Sequence, residues 1–267
     1  MRTARSAALP LAALLGLAAL AAAPPARAAT QTFNTGQSSF NGGLLINQGF
    51  YYNDGEHDAT NDNHSTGQQT VNVGGTLITR DFNSFYTFDL SSLNLTNQIV
   101  TGATLTFNPL PNEAGISGSG ATSENLGLFD VSTDAATLNA SHLGGTPRPD
   151  IYTDLGSGTS YGTFTYPLSP TTPQTLTLDS AALTDITSHA GGFFSIGAAL
   201  QGLPASGTEL LFGGSDVGGI SDAQTLTITT APRASVPEAS PMTFLGLGGL
   251  LLSGLFLRAF RRARQAA

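Results

Sequence analysis

The densest cluster of side chains that could do chemistry lies at residues 53–64, where the sequence reads NDGEHDATNDNH. Carboxylates stand at alternate positions, Asp54, Glu56 and Asp58, and carboxylate oxygens are ligands that Ca²⁺ prefers. The segment lacks the glycine and the glutamate that an EF-hand loop needs at its sixth and twelfth positions. Two interpretations remain: a calcium site built from these three carboxylates, or a solvated acidic loop.

The four histidines do not form a metal-binding pattern. His57 and His64 lie seven residues apart in the same segment, and His142 and His189 are far away in sequence. A zinc site usually has two closely spaced histidines and a third ligand. The spacing therefore predicts histidines in solvent-exposed turns and no zinc centre.

Signatures of hydrolytic enzymes are weak in this sequence. The Gly-Ser-Gly runs at 118–120 and 156–158 are too short for a G-x-S-x-G elbow and are typical of flexible turns, and the lack of cysteine excludes thiolate nucleophiles and disulfides. A glycosidase needs two carboxylates at a defined separation, and seventeen acidic residues between positions 30 and 232 single out no pair. The sequence thus predicts a protein that is not an enzyme.

Three tyrosines offer a different chemistry, which is stacking on sugar rings. Tyr51 and Tyr52 precede the acidic segment, and Tyr161 follows a Gly-Ser-Gly turn. Exposed aromatic rings would suit a matrix-binding module, and packing in the core or in turns explains the same residues equally well. Both interpretations stay open at this stage.

The elements that must position these residues have the two-residue period of β-strands. Ile99, Ala103, Leu105 and Phe107 alternate with polar or small residues, which predicts that these four share a buried face. Similar short runs recur down to residue 228, separated by clusters of Gly, Asn, Asp, Ser and Pro. We therefore predict an all-β fold, an antiparallel β-sandwich or jelly roll over residues 29–232.

One short helix is predicted within this domain, at residues 180–189. Leu183 and Ile186 lie three positions apart, and Gly191 follows as a stop signal at the C-terminal end.

Charge is distributed unevenly along the chain. The net charge is −8, and residues 30–232 hold seventeen acids against Arg80 and Arg148, a local charge of −15. A segment this acidic repels phosphate backbones, so we predict no nucleic-acid partner. The other basic residues are found at the two ends.

The N-terminal end has the pattern of a secretory signal peptide. Arg2 and Arg5 precede an apolar run of Leu and Ala, and Ala26-Arg27-Ala28 fits the small-x-small cleavage rule. We predict that residues 1–28 direct export and do not belong to the fold.

The C-terminal end contains a second targeting pattern, in residues 233–267. Val236, Pro237 and Glu238 precede an uncharged apolar stretch at 242–257, which predicts a transmembrane helix at about 242–260. A basic cluster follows, with Arg258, Arg261, Arg262 and Arg264. Such a cluster stays on the cytoplasmic side, which leaves the preceding domain outside.

This arrangement resembles the PEP-CTERM sorting signal of Gram-negative bacteria. Val236, Pro237 and Glu238 match the motif position by position, and Ala239 replaces its usual second proline. The resemblance implies recognition by an exosortase-type sorting enzyme, an inner-membrane intermediate, and delivery to the cell surface or extracellular matrix. The alternative is a permanent single-span anchor.

Segments between residues 50 and 230, among them RDFNSFYTFDLSSL and GGFFSIGAAL, are similar to β-sandwich ectodomains of PEP-CTERM proteins. The function hypothesis is a structural or carbohydrate-binding role at the envelope, with exopolysaccharide as a candidate partner and no cofactor beyond the Ca²⁺ considered above. A secreted carbohydrate-active hydrolase and a permanently anchored bitopic membrane protein are the alternatives.

Overall fold

The computed structural model describes residues 27–36, 40, 46–108, 115–212 and 223–234. Within these ranges the chain is mostly antiparallel β-structure, which confirms the predicted all-β class. The strands are β1 (Ala29–Asn34), β2 (Gln48–Tyr52), β3 (Thr66–Val73), β4 (Thr76–Asp89), β5 (Gln98–Phe107), β6 (Ile116–Ser117), β7 (Ser123–Asp130), β8 (Ser160–Pro167), β9 (Gln174–Thr177), β10 (Phe193–Leu200), β11 (Glu209–Leu211) and β12 (Thr225–Pro232). The helices are α1 (Ala135–Leu138), α2 (Pro149–Leu155) and α3 (Ser180–Ser188).

The strands form two sheets. The smaller sheet has the order β1-β12-β5-β9, and the larger has the order β6-β11-β3-β4-β10-β7-β8, with β2 also paired to β4. Leu105 and Ile228 of the smaller sheet lie in the same hydrophobic core as Phe88 and Ile196 of the larger one. Burial of this shared core is the main favourable term that holds the two sheets together.

Strand β5 follows the predicted alternation of buried and exposed side chains in its second half but not in its first. Ala103, Leu105 and Phe107 are buried as predicted, but Ile99 is 43% exposed. The register with β12 shifts between Thr229 and Thr230, so the alternation of faces reverses beyond this irregularity. Val100 packs against the core instead, and the prediction that Ile99 is buried was wrong.

Strand β4 passes through two environments. From Phe82 to Phe88 every side chain is buried, because the shared core covers one face and a second apolar cluster covers the other. That second cluster is built partly by Leu138 of α1 and Ile151 of α2, two helices that the sequence analysis missed. Earlier in the strand, the residues at Thr76–Ile78 are exposed.

Helix α3 confirms the predicted helix and its end. The Asp179 carboxylate accepts hydrogen bonds from the backbone of Ala181 and Ala182, which caps the N-terminus. Gly191 has a φ of +88°, the left-handed conformation that glycine adopts readily after a helix. Ile186 is buried, and Leu183 packs against the core.

Both targeting segments lie almost wholly outside the described residues. Only Arg27 and Ala28 of the predicted signal peptide are described, and the predicted transmembrane helix at about 242–260 is not. In the ranges given above, no helix is long and apolar enough to cross a membrane.

Candidate functional site

The acidic loop, residues 53–65, is folded against the larger sheet through His57. This side chain is buried, and its Nδ1 donates a hydrogen bond of 2.8 Å to the carbonyl of Phe50. Its ring stacks on Tyr51 with 4.6 Å between the ring centroids. Burial lowers the pKa of His57 to about 4, so the ring is neutral at pH 7.

His64 attaches the other end of the acidic loop to the core. It is fully buried, its Nδ1 lies 3.0 Å from the hydroxyl of Tyr86, and its ring lies 4.5 Å from that of Phe212. The prediction that these turn histidines face solvent was therefore wrong for both His57 and His64. A loop of polar residues can bury its histidines when the backbone and neighbouring hydroxyls supply partners.

The carboxylates considered for calcium have local partners. Asp54 accepts a hydrogen bond from the backbone of Glu56, and Asp58 accepts from the backbone and hydroxyl of Thr60. These are the short-range bonds of Asx turns. Among the described residues, no group of three His, Asp or Glu side chains is placed to hold a metal ion. The calcium prediction gains no support from this geometry and stays untested.

Three aromatic rings cluster beside this loop. Phe50 and Tyr52 come from β2 and Phe82 from β4, and the ring centroids are 5.0 to 5.4 Å apart. The guanidinium of Arg80 lies 4.7 Å from the centroid of the Tyr52 ring, in a cation–π contact. Antiparallel pairing of Tyr52 with Phe82 fixes the position of this group.

A cavity of about 260 Å³ opens between this aromatic cluster and the acidic loop. Tyr52 and Arg80 line one part of it, and Glu56, Asp58 and Asn61 supply polar groups from the loop. Its remaining lining residues are Phe50, His57 and Leu143. The cavity is slightly smaller than the roughly 300–1,000 Å³ of sites for drug-sized ligands, which suits one small ring.

Charges of both signs line the cavity. Hydrogen bonds from Thr60 lower the pKa of Asp58, so this carboxylate is an acceptor at neutral pH. Within the described residues, the guanidinium of Arg80 forms no ion pair, and its five N–H donors are open to a ligand. The cavity thus offers an aromatic surface, acceptors and donors together.

Of the three tyrosines proposed for sugar stacking, one reaches this cavity. Tyr51 and Tyr161 are buried, and their hydroxyls donate to the carbonyl of Leu138 and to the carboxylate of Asp185. They serve packing. Tyr52 is partly exposed and lines the cavity.

Glu124 and Glu209 form a carboxyl pair of a different kind. Burial, a hydrogen bond to Glu209 and the charge of Glu209 raise the pKa of Glu124 to about 6. Burial acts to raise the pKa of Glu209 as well, but hydrogen bonds from Ser117 and Ser119 outweigh it and lower the value. Within the described residues, Oε1 of Glu124 and Oε2 of Glu209 are buried without a hydrogen-bond partner.

A second cavity, of about 520 Å³, is lined by Val131 to Ala136 together with Phe40, His189, Phe193 and Ser195. The hydroxyls of Ser132 and Thr133 already donate to the Asp154 carboxylate. This cavity therefore offers a ligand fewer free donors than the one beside Arg80.

The sorting residues Val236, Pro237 and Glu238, and the cluster of Arg258, Arg261, Arg262 and Arg264, lie outside the described residues. The structure adds Arg80 and Asn61, which the sequence analysis did not propose as site residues. One signal was present, because Arg80 is one of only two basic residues in the 203 positions between 30 and 232.

The chain matches no protein-family model and no curated protein. Its function must therefore be inferred from the cavity beside Arg80 and from the targeting patterns at the two ends of the sequence.

Proposed function

We propose that the chain is an exported envelope or matrix protein whose β-sandwich, residues 29–232, binds a polysaccharide in the cavity beside Arg80. The observation that supports this most is the combination lining that cavity, an aromatic ring with an unpaired guanidinium, two carboxylates and an amide. The predicted export signal also supports the proposal, because an exported protein reaches the compartment in which polysaccharide is found.

The chemistry of a sugar ring fits this lining better than the chemistry of a metal ion does. A pyranose has an apolar C–H face that packs on an aromatic ring such as Tyr52. Its hydroxyls donate to Asp58 and Glu56 and accept from Arg80 and Asn61. A bare cation would gain from the carboxylates but would be repelled by Arg80.

The test is binding of exopolysaccharide from the producing cells and of its purified oligosaccharides, measured by titration calorimetry. Arg80→Gln removes the guanidinium, and Arg148→Gln is the matched control, because Arg148 is the other arginine of the domain and is exposed and paired with Asp150. A hydrogen bond to a charged group contributes roughly 1.5 kcal/mol or more, so Arg80→Gln should weaken binding about 10-fold.

Tyr52→Ala should weaken binding by a similar factor, and Arg148→Gln should bind like the parent protein. Equal binding by all variants would place any saccharide site elsewhere. Release of reducing ends from the polysaccharide during the titration would favour the alternative of a carbohydrate-active hydrolase.

Delivery is the second part of the proposal. We propose that Val236, Pro237 and Glu238, the apolar stretch at 242–257 and the arginine cluster act as one processed signal for an exosortase-type enzyme. The apolar stretch would stop translocation, and the arginines would hold the orientation, because guanidinium groups cross hydrocarbon at a high cost. Pro237 disfavours a helix at the membrane boundary, which keeps the backbone open to cleavage.

Intact mass measurement in the parent host and in an exosortase-deficient strain tests this step. We expect the tail to be lost only when the enzyme is present, and Pro237→Ala or Glu238→Ala to prevent its loss. A tail retained in both strains would show a permanently anchored bitopic protein instead.

A further inference from the structure

The hairpin of β3 and β4 extends beyond the larger sheet. Residues 71–78 are all exposed, and the strands turn through Gly74 and Gly75, whose φ values of +60° and +89° suit a tight two-residue turn. We call residues 70–79, TVNVGGTLIT, the distal hairpin. It contains no charged residue and no proline.

The side chains of the distal hairpin are unusually apolar for such a position. Val71, Val73, Leu77 and Ile78 are 38, 57, 70 and 40% exposed, respectively. Val71 is paired directly with Ile78, and Val73 lies two residues along the same strand, so these three share one face of the hairpin. None of the three belongs to a hydrophobic cluster of the described chain.

Both strand edges of the distal hairpin are also open within the described residues. Strand β11 pairs with β3 only at Thr66–Gln68, and the last contacts on that side join Thr70 to Gly207 and Thr208. On β4, strand β10 pairs only from Ser84 onward. Natural proteins usually protect such edges with charges, prolines or bulges, and none of these is present at residues 70–79.

From these observations we infer that the distal hairpin is a self-association surface, which pairs edge to edge with the same hairpin of a second copy of this chain. Antiparallel pairing about a two-fold axis at Asn72 places Asn72 opposite itself and Val71 opposite Val73, so the interface is self-complementary. Two strands in water are marginally stable, whereas four strands with one apolar face are much more stable.

The charge distribution favours a second copy as the occupant. Residues 30–232 hold a net charge of −15, so most pairs of surfaces on two copies repel each other. The distal hairpin is an uncharged stretch that extends away from that body, and pairing there brings no like charges into contact. The same pairing allows a polysaccharide-binding protein to cross-link its polymer, since two cavities are joined in one dimer.

A single introduced cysteine tests the pairing in the full chain, because the parent sequence has no cysteine. In the proposed dimer the two copies of residue 72 are about 5 Å apart at Cα, within disulfide range. Asn72→Cys should therefore give a disulfide-linked dimer after mild oxidation, seen on a non-reducing gel. Ser92→Cys, at an exposed turn residue beyond the other end of β4, is the control and should stay monomeric.

Adding Val71→Lys to Asn72→Cys should abolish the dimer, because a lysine on each edge opposes pairing. Dimer formation by Ser92→Cys to the same extent, or no dimer from Asn72→Cys, would overturn the inference. Binding of the parent chain to phosphatidylglycerol vesicles, lost with Val71→Lys while Asn72→Cys stays monomeric, would overturn it in favour of a membrane surface.

Discussion

The acidic loop and the distal hairpin are two segments that lie next to Arg80. The burial of side chains in each is the opposite of what its sequence suggests. The acidic loop, residues 53–65, is the most polar stretch of the domain, yet His57 and His64 are buried in it. The distal hairpin is rich in Val, Leu and Ile, yet residues 71–78 stand in solvent.

The difference shows that burial follows the availability of partners rather than residue hydropathy alone. Nδ1 of His57 binds a backbone carbonyl and Nδ1 of His64 lies beside a tyrosine hydroxyl, and both rings pack on aromatic faces, although Nε2 of His57 is buried without a partner in the described residues. The hairpin finds no covering layer among the described residues. We therefore expect the loop to contribute to the stability of the fold and the hairpin to contribute to association.

The largest effect should come from truncating the ring on which the loop is packed. Tyr51→Ala removes a fully buried side chain and should lower the free energy of unfolding by about 4 kcal/mol, measured by urea denaturation. Tyr51→Phe is the control, since it keeps the ring and removes only the hydrogen bond to Leu138, at a cost of about 1 kcal/mol. A loss below 1 kcal/mol for Tyr51→Ala would mean that the loop is not part of the cooperative unit.

Acid should weaken the loop through His57. The pKa of His57 is lowered from its usual 6.5 to about 4 in the folded protein, so protonation favours the unfolded chain. The free energy of unfolding does not depend on His57 above pH 6.5, and it should fall by roughly 3 kcal/mol as the pH decreases through 4. His57→Asn keeps a donor near the Phe50 carbonyl and does not titrate, so its melting temperature should fall less over this range. If the melting temperatures of the parent protein and His57→Asn fall equally with pH, protonation of His57 is not the cause.

The base of the hairpin should respond to pH in the opposite direction. Glu209 of β11 is paired in register with Gln68 of β3, and burial together with the nearby Glu209 carboxyl raises the pKa of Glu124 to about 6. The raised pKa of Glu124 stabilises the folded protein below pH 4.5. This stabilisation is lost as the pH rises through 6, which lowers the free energy of unfolding by about 1–2 kcal/mol. Glu124→Gln keeps the size of the side chain and does not titrate, so it should remove this dependence. If Glu124→Gln still loses stability between pH 4.5 and 7 as the parent does, the titration of Glu124 is not the cause.

The smallest effect on stability should be found at the tip of the hairpin. Leu77→Ser changes a side chain that is 70% exposed, so the free energy of unfolding should change by no more than about 0.5 kcal/mol. Leu105→Ala, in the shared core, should cost about 2–5 kcal/mol in the same urea titration. A loss of more than 1 kcal/mol for Leu77→Ser would show that the hairpin is covered within the monomer.

Local patterns predicted the fold class and helix α3, because a two-residue period and a capped helix are encoded within a few neighbouring residues. The exposure of Ile99 was missed because a bulge depends on the register between β5 and β12, which are more than a hundred residues apart. The cavity was missed for the same reason. Tyr52 and Arg80 meet only because β2 pairs with β4, and the buried state of His57 depends on Phe50 and Tyr51.

Hydrogen exchange with and without an oligosaccharide of the native matrix tests whether a saccharide binds between the acidic loop and Arg80. In the free protein, diluted until it is monomeric, backbone amides at 71–78 should exchange faster than those at 56–58, because the unpaired hairpin is solvated and the segment around His57 is buried. Ligand should slow exchange at 52–61 and leave 71–78 unchanged. Unchanged exchange at 52–61 under saturating ligand would show that no saccharide binds beside Arg80, and protection confined to 131–136 would place the saccharide in the other cavity.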